Sequence, residues 1–142
     1  MNEEEKKQKI LNFIRKEIIG VVCTVNSDGN PESATMVVSQ TDDLKLIFQT
    51  PNHYRKYQNL KNNPHIAVTF GFSIDEFTTV QYEGIAKEAE DETVDMCRKI
   101  HVAKNPKSGE YAYLPENKYF IVEPVWIRYW DFNKDERFII KF

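Results

Sequence analysis

The chain has 142 residues, a mass of 16.7 kDa and a formal net charge of -3. That length makes one domain, able to bury a core without disulfides or a structural metal. With 41% hydrophobic and 29% charged residues it is an ordinary globule, neither disordered nor low in complexity.

The slight acid excess disfavours wholesale binding to a nucleic-acid backbone, which needs a basic surface. Cys23 and Cys97 are too few for a secreted disulfide framework, and no CxxC pair suggests zinc. No stretch approaches the roughly 18 apolar residues of a membrane helix. The first residues, MNEEEKKQK, contain no apolar run of the secretory type, so a cytoplasmic, reduced setting is expected.

Residues 3–18 read as a helix, because Ile10, Leu11, Phe13, Ile14 and Ile18 recur at helical spacing. Asn2 is placed to cap it, and Glu3, Glu4 and Glu5 suit the positive end of its dipole. Residues 18–25 turn β-branched and strand-like. Ser27-Asp28-Gly29-Asn30-Pro31 is turn chemistry, with Gly29 free to take positive φ. A second strand follows through Ala34, Met36 and Val38, and a third runs from Leu44 to Gln49 after the turn at Thr41-Asp42-Asp43.

A second helix is expected over 52–62, capped by Asn52 and stopped at Asn62-Asn63-Pro64. Strands are expected over 65–72 and 78–87, then a helix from near Asp91 to Ala103. Residues 105–115 read as a loop with exposed aromatics. Strands over 119–123, 125–131 and 137–142 complete the chain. Short strands separated by turns point to a closed or partly closed barrel.

The segment Phe48-Gln49-Thr50-Pro51-Asn52-His53-Tyr54-Arg55-Lys56 carries the most chemistry. A strand ends at Thr50 and a helix begins just beyond it. Free N–H groups at a helix start make an anion site. Arg55 and Lys56 in that first turn oppose the helix dipole, at about 0.3–1 kcal/mol each when exposed. A bound anion reverses that sign. Thr50 adds a hydroxyl, and Arg55 can grip two oxygens, so phosphate is the natural guest. The competing reading makes Arg55 and Lys56 solvated surface residues.

His53, His65 and His101 do not form a metal-ligand spacing and read as structural or solvated. Cys23 and Cys97 read as inert packing, and Glu88-Glu90-Asp91-Glu92 as a helix start. There is no nucleophile elbow and no P-loop. Trp126 and Trp130 share one face of a strand, with Arg128 between them. That face can be core, a dimer surface or the wall of a planar ligand; core ranks first.

These pieces, in this order, resemble a known family. Gly20-Val21-Val22-Cys23-Thr24-Val25 leads to Asp28-Gly29-Asn30-Pro31, then Phe48-Gln49-Thr50, Arg55-Lys56, Leu60-Lys61-Asn62-Asn63-Pro64, Gly84-Ile85-Ala86, Pro124 and Tyr129-Trp130-Asp131. Over nearly the whole chain this is similar to the pyridoxamine 5'-phosphate oxidase-like, FMN-binding split-barrel family, and most of all to its general-stress-protein branch. The resemblance implies a mainly β fold with flanking helices: a six-stranded antiparallel, Greek-key-like split barrel in residues 1–142, paired as a homodimer with FMN between subunits.

Residue by residue, the resemblance assigns Arg55 and Lys56 to the FMN phosphate. Gln49 and Thr50 fall at the strand end that meets the flavin. Thr35, Met36 and Val37 run beside the isoalloxazine ring, and Thr79 is a polar position on a neighbouring strand. Trp130 and Arg137 look like the partner subunit's contribution. Three departures stand out. Thr35 replaces an Arg of the true oxidases, and Tyr54 replaces a Ser. The interval Asp131-Phe132-Asn133-Lys134-Asp135-Glu136 lacks the Arg and His that recognise the vitamin substrate. Its acidic character repels a phosphorylated substrate, so oxidation of pyridoxamine phosphate is not expected.

The expectation is an FMN flavoprotein acting as an oxidoreductase on a small redox substrate, with no nucleic-acid or membrane partner. No side chain stands out as a catalytic acid or base. The alternatives are a flavin-binding or sensing module without turnover, the same barrel using haem or a deazaflavin, and a ligand-free structural dimer.

Overall fold

Asn2 accepts a hydrogen bond from the Glu5 amide at 2.8 Å and so starts α1 (Glu3–Lys16). In this computed structural model, which describes residues 1–142, the chain continues through β1 (Ile19–Val25), β2 (Pro31–Val37), β3 (Ser39–Gln40) and β4 (Leu46–Pro51). Then come α2 (Arg55–Asn62), β5 (His65–Gly71), β6 (Thr78–Glu88) and α3 (Glu92–Lys104). A 3-10 turn (Pro106–Glu110), β7 (Asn117–Asp131) and β8 (Glu136–Lys141) close the chain. No helix is long and apolar enough to cross a membrane.

The strands form one antiparallel sheet in the order β2-β1-β5-β6-β7-β4-β3, with β8 added on β7. β2 and β3 stand at opposite ends of that order, yet only Val38 separates them in sequence. The two edges must therefore meet, and the sheet curls into a split barrel. Strands β1, β2, β4, β5, β6 and β7 are the barrel expected from the sequence; the two-residue β3 and the C-terminal β8 are additions to it. Lys104 ties the seam. Its Nζ donates to Val38 O at 2.8 Å, Ile14 O at 2.9 Å and Gln40 Oε1 at 2.6 Å, joining α3, α1 and the β2–β3 joint.

The core fills the barrel with Val22, Phe48, Val68, Phe70, Tyr82, Phe120 and Ile127, and α1 adds Ile10, Phe13 and Ile14. Burial of such side chains gives about 1.5–3 kcal/mol each. The Tyr82 hydroxyl meets its need inside the core by donating to Leu44 O at 2.7 Å.

Three expectations are corrected. First, β7 is one strand where Pro124 suggested two. Opposite Glu83 stands Trp126 and opposite Gly84 stands Pro124, so Val125 is an extra, bulged residue. A bulge tolerates a proline that has no N–H to donate. Gly84 permits the close approach: a Cβ there would lie 2.5 Å from Glu123 O. Second, Trp126, Arg128 and Trp130 do share a face, but it is not the core face. Ile127 and Tyr129 between them point inward and are buried. Third, only Cys97 is buried packing; Cys23 is half-exposed, since its neighbours Val22 and Thr24 take the inward positions of β1.

Candidate functional site

α2 begins at Arg55, three positions later than the sequence suggests. Asn52 does not cap it; its backbone N–H donates to Glu116 O at 2.8 Å and fixes it to the loop before β7. The N-cap is Tyr54, which offers no side-chain cap, and no acid lies in the first turn. The amides of Arg55 and Lys56 find no backbone acceptor in the chain. The helix start therefore presents two unpaired N–H groups and two cations together, an arrangement completed by an anion.

Those residues line a cavity of about 330 Å³, whose other walls are Val22 and Thr24 of β1 and Ser33 and Ala34 of β2. Lys56 makes no ion pair; burial, and then the neighbouring Arg55, hold its pKa below the usual lysine range. Arg55 Nη1 lies 3.2 Å from Glu32 Oε2. Thr24 is 2% exposed; its Oγ1 accepts from Asn59 Nδ2 at 3.0 Å. Its own proton has no acceptor in the chain and is free for a guest.

A second hollow of about 240 Å³ lies beside the next residues of β2. Met36 and Val37 line it with Gln49 of β4, His101 of α3, and Ser108 and Tyr111. Gln49 is held there by Asn117 Nδ2, which donates to its Oε1 at 3.2 Å. His101 Nδ1 lies 2.8 Å from Ser39 Oγ. Ser39 donates its own proton to Ile47 O at 3.2 Å, so the imidazole donates from Nδ1 and leaves Nε2 as a lone pair. Burial, and then Lys104, push its pKa down to about 4. Two of the three histidines thus stand on cavity walls, His53 on the first and His101 on the second.

Thr35 lies on β2 between the two hollows, exposed and paired in register with Val21. Thr50 lines neither hollow; it is buried, and its hydroxyl donates to Pro51 O at 3.3 Å. Of the two threonines it is Thr24, not Thr50, that lines the first cavity. Thr79, Trp130 and Arg137 form a row across β6, β7 and β8, each opposite the next. They line neither hollow. Thr79 Oγ1 donates to Phe70 O at 2.9 Å, and the Trp130 ring stacks on Phe132 at 4.0 Å. The Arg137 guanidinium carbon sits 5.0 Å from the Trp130 ring centre. The Trp130 indole Nε1 is buried without a partner. One chain thus brings the expected residues together in three groups rather than one.

Glu32, Thr24 and Asn59 were not singled out from the sequence. Asn26 is a local partner of Glu32, but Arg55 and Asn59 lie 23 and 27 positions away, so the link to α2 shows only once β2 is laid beside it.

A family model described as "Pyridoxamine 5'-phosphate oxidase" matches residues 7–131. The chain belongs to the pyridoxamine 5'-phosphate oxidase family. Within it, General stress protein 26 of Bacillus subtilis (strain 168) is 26% identical over 104 residues, which cover 73% of each protein. The crystal structure of General Stress Protein 26 from Bacillus anthracis str. Sterne superposes with a TM-score of 0.76 at 26% identity, over 96% of this chain and 99% of that one. A heme binding protein from Mycobacterium smegmatis has the same fold, with a TM-score of 0.84 at 11% identity. The chain spans 95% of its own length there, but only 57% of that protein.

Proposed function

We propose that the chain binds FMN between two copies of itself and works as an oxidoreductase on a small redox substrate. The observation that carries this reading is the cavity shared by Lys56, Arg55 and Thr24, one step along β2 from the hollow of Met36, Val37 and Gln49. A phosphate fits the first: two cations, two free amides and a hydroxyl meet there. A planar ring fits the second and the exposed edge at Thr35. The Trp130 and Arg137 side chains, which pack on one another across β7 and β8, are then what a second copy brings to the ring, with Thr79 buried beside them.

Once bound, a flavin supplies hydride or electron transfer. The chain's own residues bind and orient. Lys56 and Arg55 fix the phosphate, Met36 and Val37 exclude water along β2, and Gln49 offers an amide held by Asn117. Oxidation of pyridoxamine phosphate is not part of the reading, because Thr35 is no cation and residues 131–136 supply neither Arg nor His.

A second reading keeps the barrel and changes the group. The Mycobacterium smegmatis protein of the same fold is described as heme binding, and His53 and His101 each stand on a cavity wall. The visible absorption spectrum of the purified protein, before and after added FMN, separates the two. Flavin bands that weaken in Arg55→Ala and Lys56→Ala support FMN. A Soret band lost in His53→Ala or His101→Ala supports haem. Unchanged FMN affinity in both cation variants would refute the phosphate placement.

A further inference from the structure

Glu32 is the one acid lining the anion cavity. Asn59 Nδ2 donates to its Oε1 at 2.8 Å, and Asn26 Nδ2 donates to its Oε2 at 3.2 Å. Asn59 is itself buried and fixed to Thr24. The Glu32 side chain is 17% exposed, whereas that of Arg55 is 77% exposed. The carboxylate is therefore clamped and the guanidinium is free to swing. The amides of Asn59 first, then Asn26, lower the pKa of Glu32 from its ordinary value, so it stays charged at neutral pH.

We propose that Glu32 limits the affinity of this cavity: a guest anion must take Arg55 away from Glu32 and then lie beside a carboxylate that stays in place. The penalty grows with the guest's charge, because Coulomb energy scales with the product of the two charges. A phosphate monoester carrying two negative charges is penalised about twice as much as a single anion, and an uncharged ligand hardly at all. The phosphate group is thus held exchangeably. This suits a protein that loads and releases its phosphorylated ligand more than one that keeps it permanently. The inference rests on the anion cavity proposed above, but not on what is attached to the phosphate.

The test titrates wild type and Glu32→Gln with inorganic phosphate, FMN and riboflavin at neutral pH and fixed ionic strength. The expected result is about tenfold tighter phosphate and FMN in the variant, with riboflavin changed by less than about twofold. Phosphate and FMN bound equally or more weakly by the variant would overturn the proposal, as would equal tightening of riboflavin. If neither protein binds FMN but the variant binds phosphate more tightly, the flavin reading falls and Glu32 keeps its role. If FMN binds both proteins equally, Glu32 loses its role and the flavin reading stands. Absence of binding by either protein to phosphate and FMN overturns both. Should Glu32→Gln fail to fold, Glu32→Ser carries the same comparison.

Discussion

The Asn59 side-chain amide donates to the Thr24 hydroxyl at 3.0 Å, and through that bond the inner face of α2 is keyed to β1. Asparagine is a mediocre helix former, so its place in mid-helix reflects what it reaches. The same nitrogen also serves Glu32. Asn59→Ala leaves a buried hydroxyl and a clamped carboxylate short of a donor, at about 1–3 kcal/mol. Urea unfolding should show a lower midpoint with an unchanged slope. A midpoint equal to that of wild type would mean that water replaces the amide.

Lys56 should separate binding from stability. It is a partly buried cation that makes no ion pair, and burial followed by the neighbouring Arg55 lowers its pKa. Lys56→Ala is expected to weaken FMN binding by about tenfold or more, as for loss of a charged hydrogen bond, while leaving the melting temperature equal or higher. Lys61 is the control, since it pairs with Glu88 at 3.1 Å and lines no part of the cavity. Lys61→Ala should leave FMN affinity where it is. A matching loss in both variants would point to general charge rather than a site.

Much of this arrangement is legible in local sequence. Gly29 marks the first hairpin turn, and it does take positive φ. Arg55 and Lys56 advertise a cationic helix start, and the cavity lies there. What escapes is whatever depends on contact between distant segments. Asn52 has the chemistry of a cap, yet its backbone N–H is drawn to the Glu116 carbonyl, 64 positions away, and α2 starts late. Pro124 reads as a strand break until Gly84 is seen opposite, where the missing Cβ makes room for a bulge. Thr50 and Thr24 are equally good hydroxyl donors on paper. Which one faces the cavity is decided by the neighbouring Pro51 carbonyl and by Asn59.

The face of the sheet opposite the core should be where two copies meet. In register across it run Thr35, Val21, Thr69, Gln81, Arg128 and Ile139. Val21 and Ile139 are apolar yet substantially exposed, and Trp126 and Trp130 lie on either side of Arg128. Ile139→Glu places a charge in that row without touching the core. It is expected to shift the sedimentation of the protein from dimer to monomer and to lower FMN affinity together. A dimer that survives the substitution with its FMN affinity intact would move the interface elsewhere.

His101 makes stability depend on pH in the acid range. Its folded pKa is about 4 against an ordinary value of 6.5, burial being the main cause and Lys104 the second. Between those values the unfolded chain binds a proton that the folded protein refuses. Stability is therefore full above about pH 6.5 and is lost as pH falls toward 4, by up to about 3 kcal/mol. The imidazole also cannot donate from Nδ1 to Ser39 and accept a second proton at Nε2 without carrying charge beside Lys104. Denaturant unfolding of wild type and His101→Leu at neutral pH and near pH 5 isolates this group, since every carboxylate is common to both proteins. The variant starts less stable, because Ser39 loses its partner, but it should lose less on acidification than wild type. Parallel losses in the two proteins would show that the imidazole is not the group that titrates.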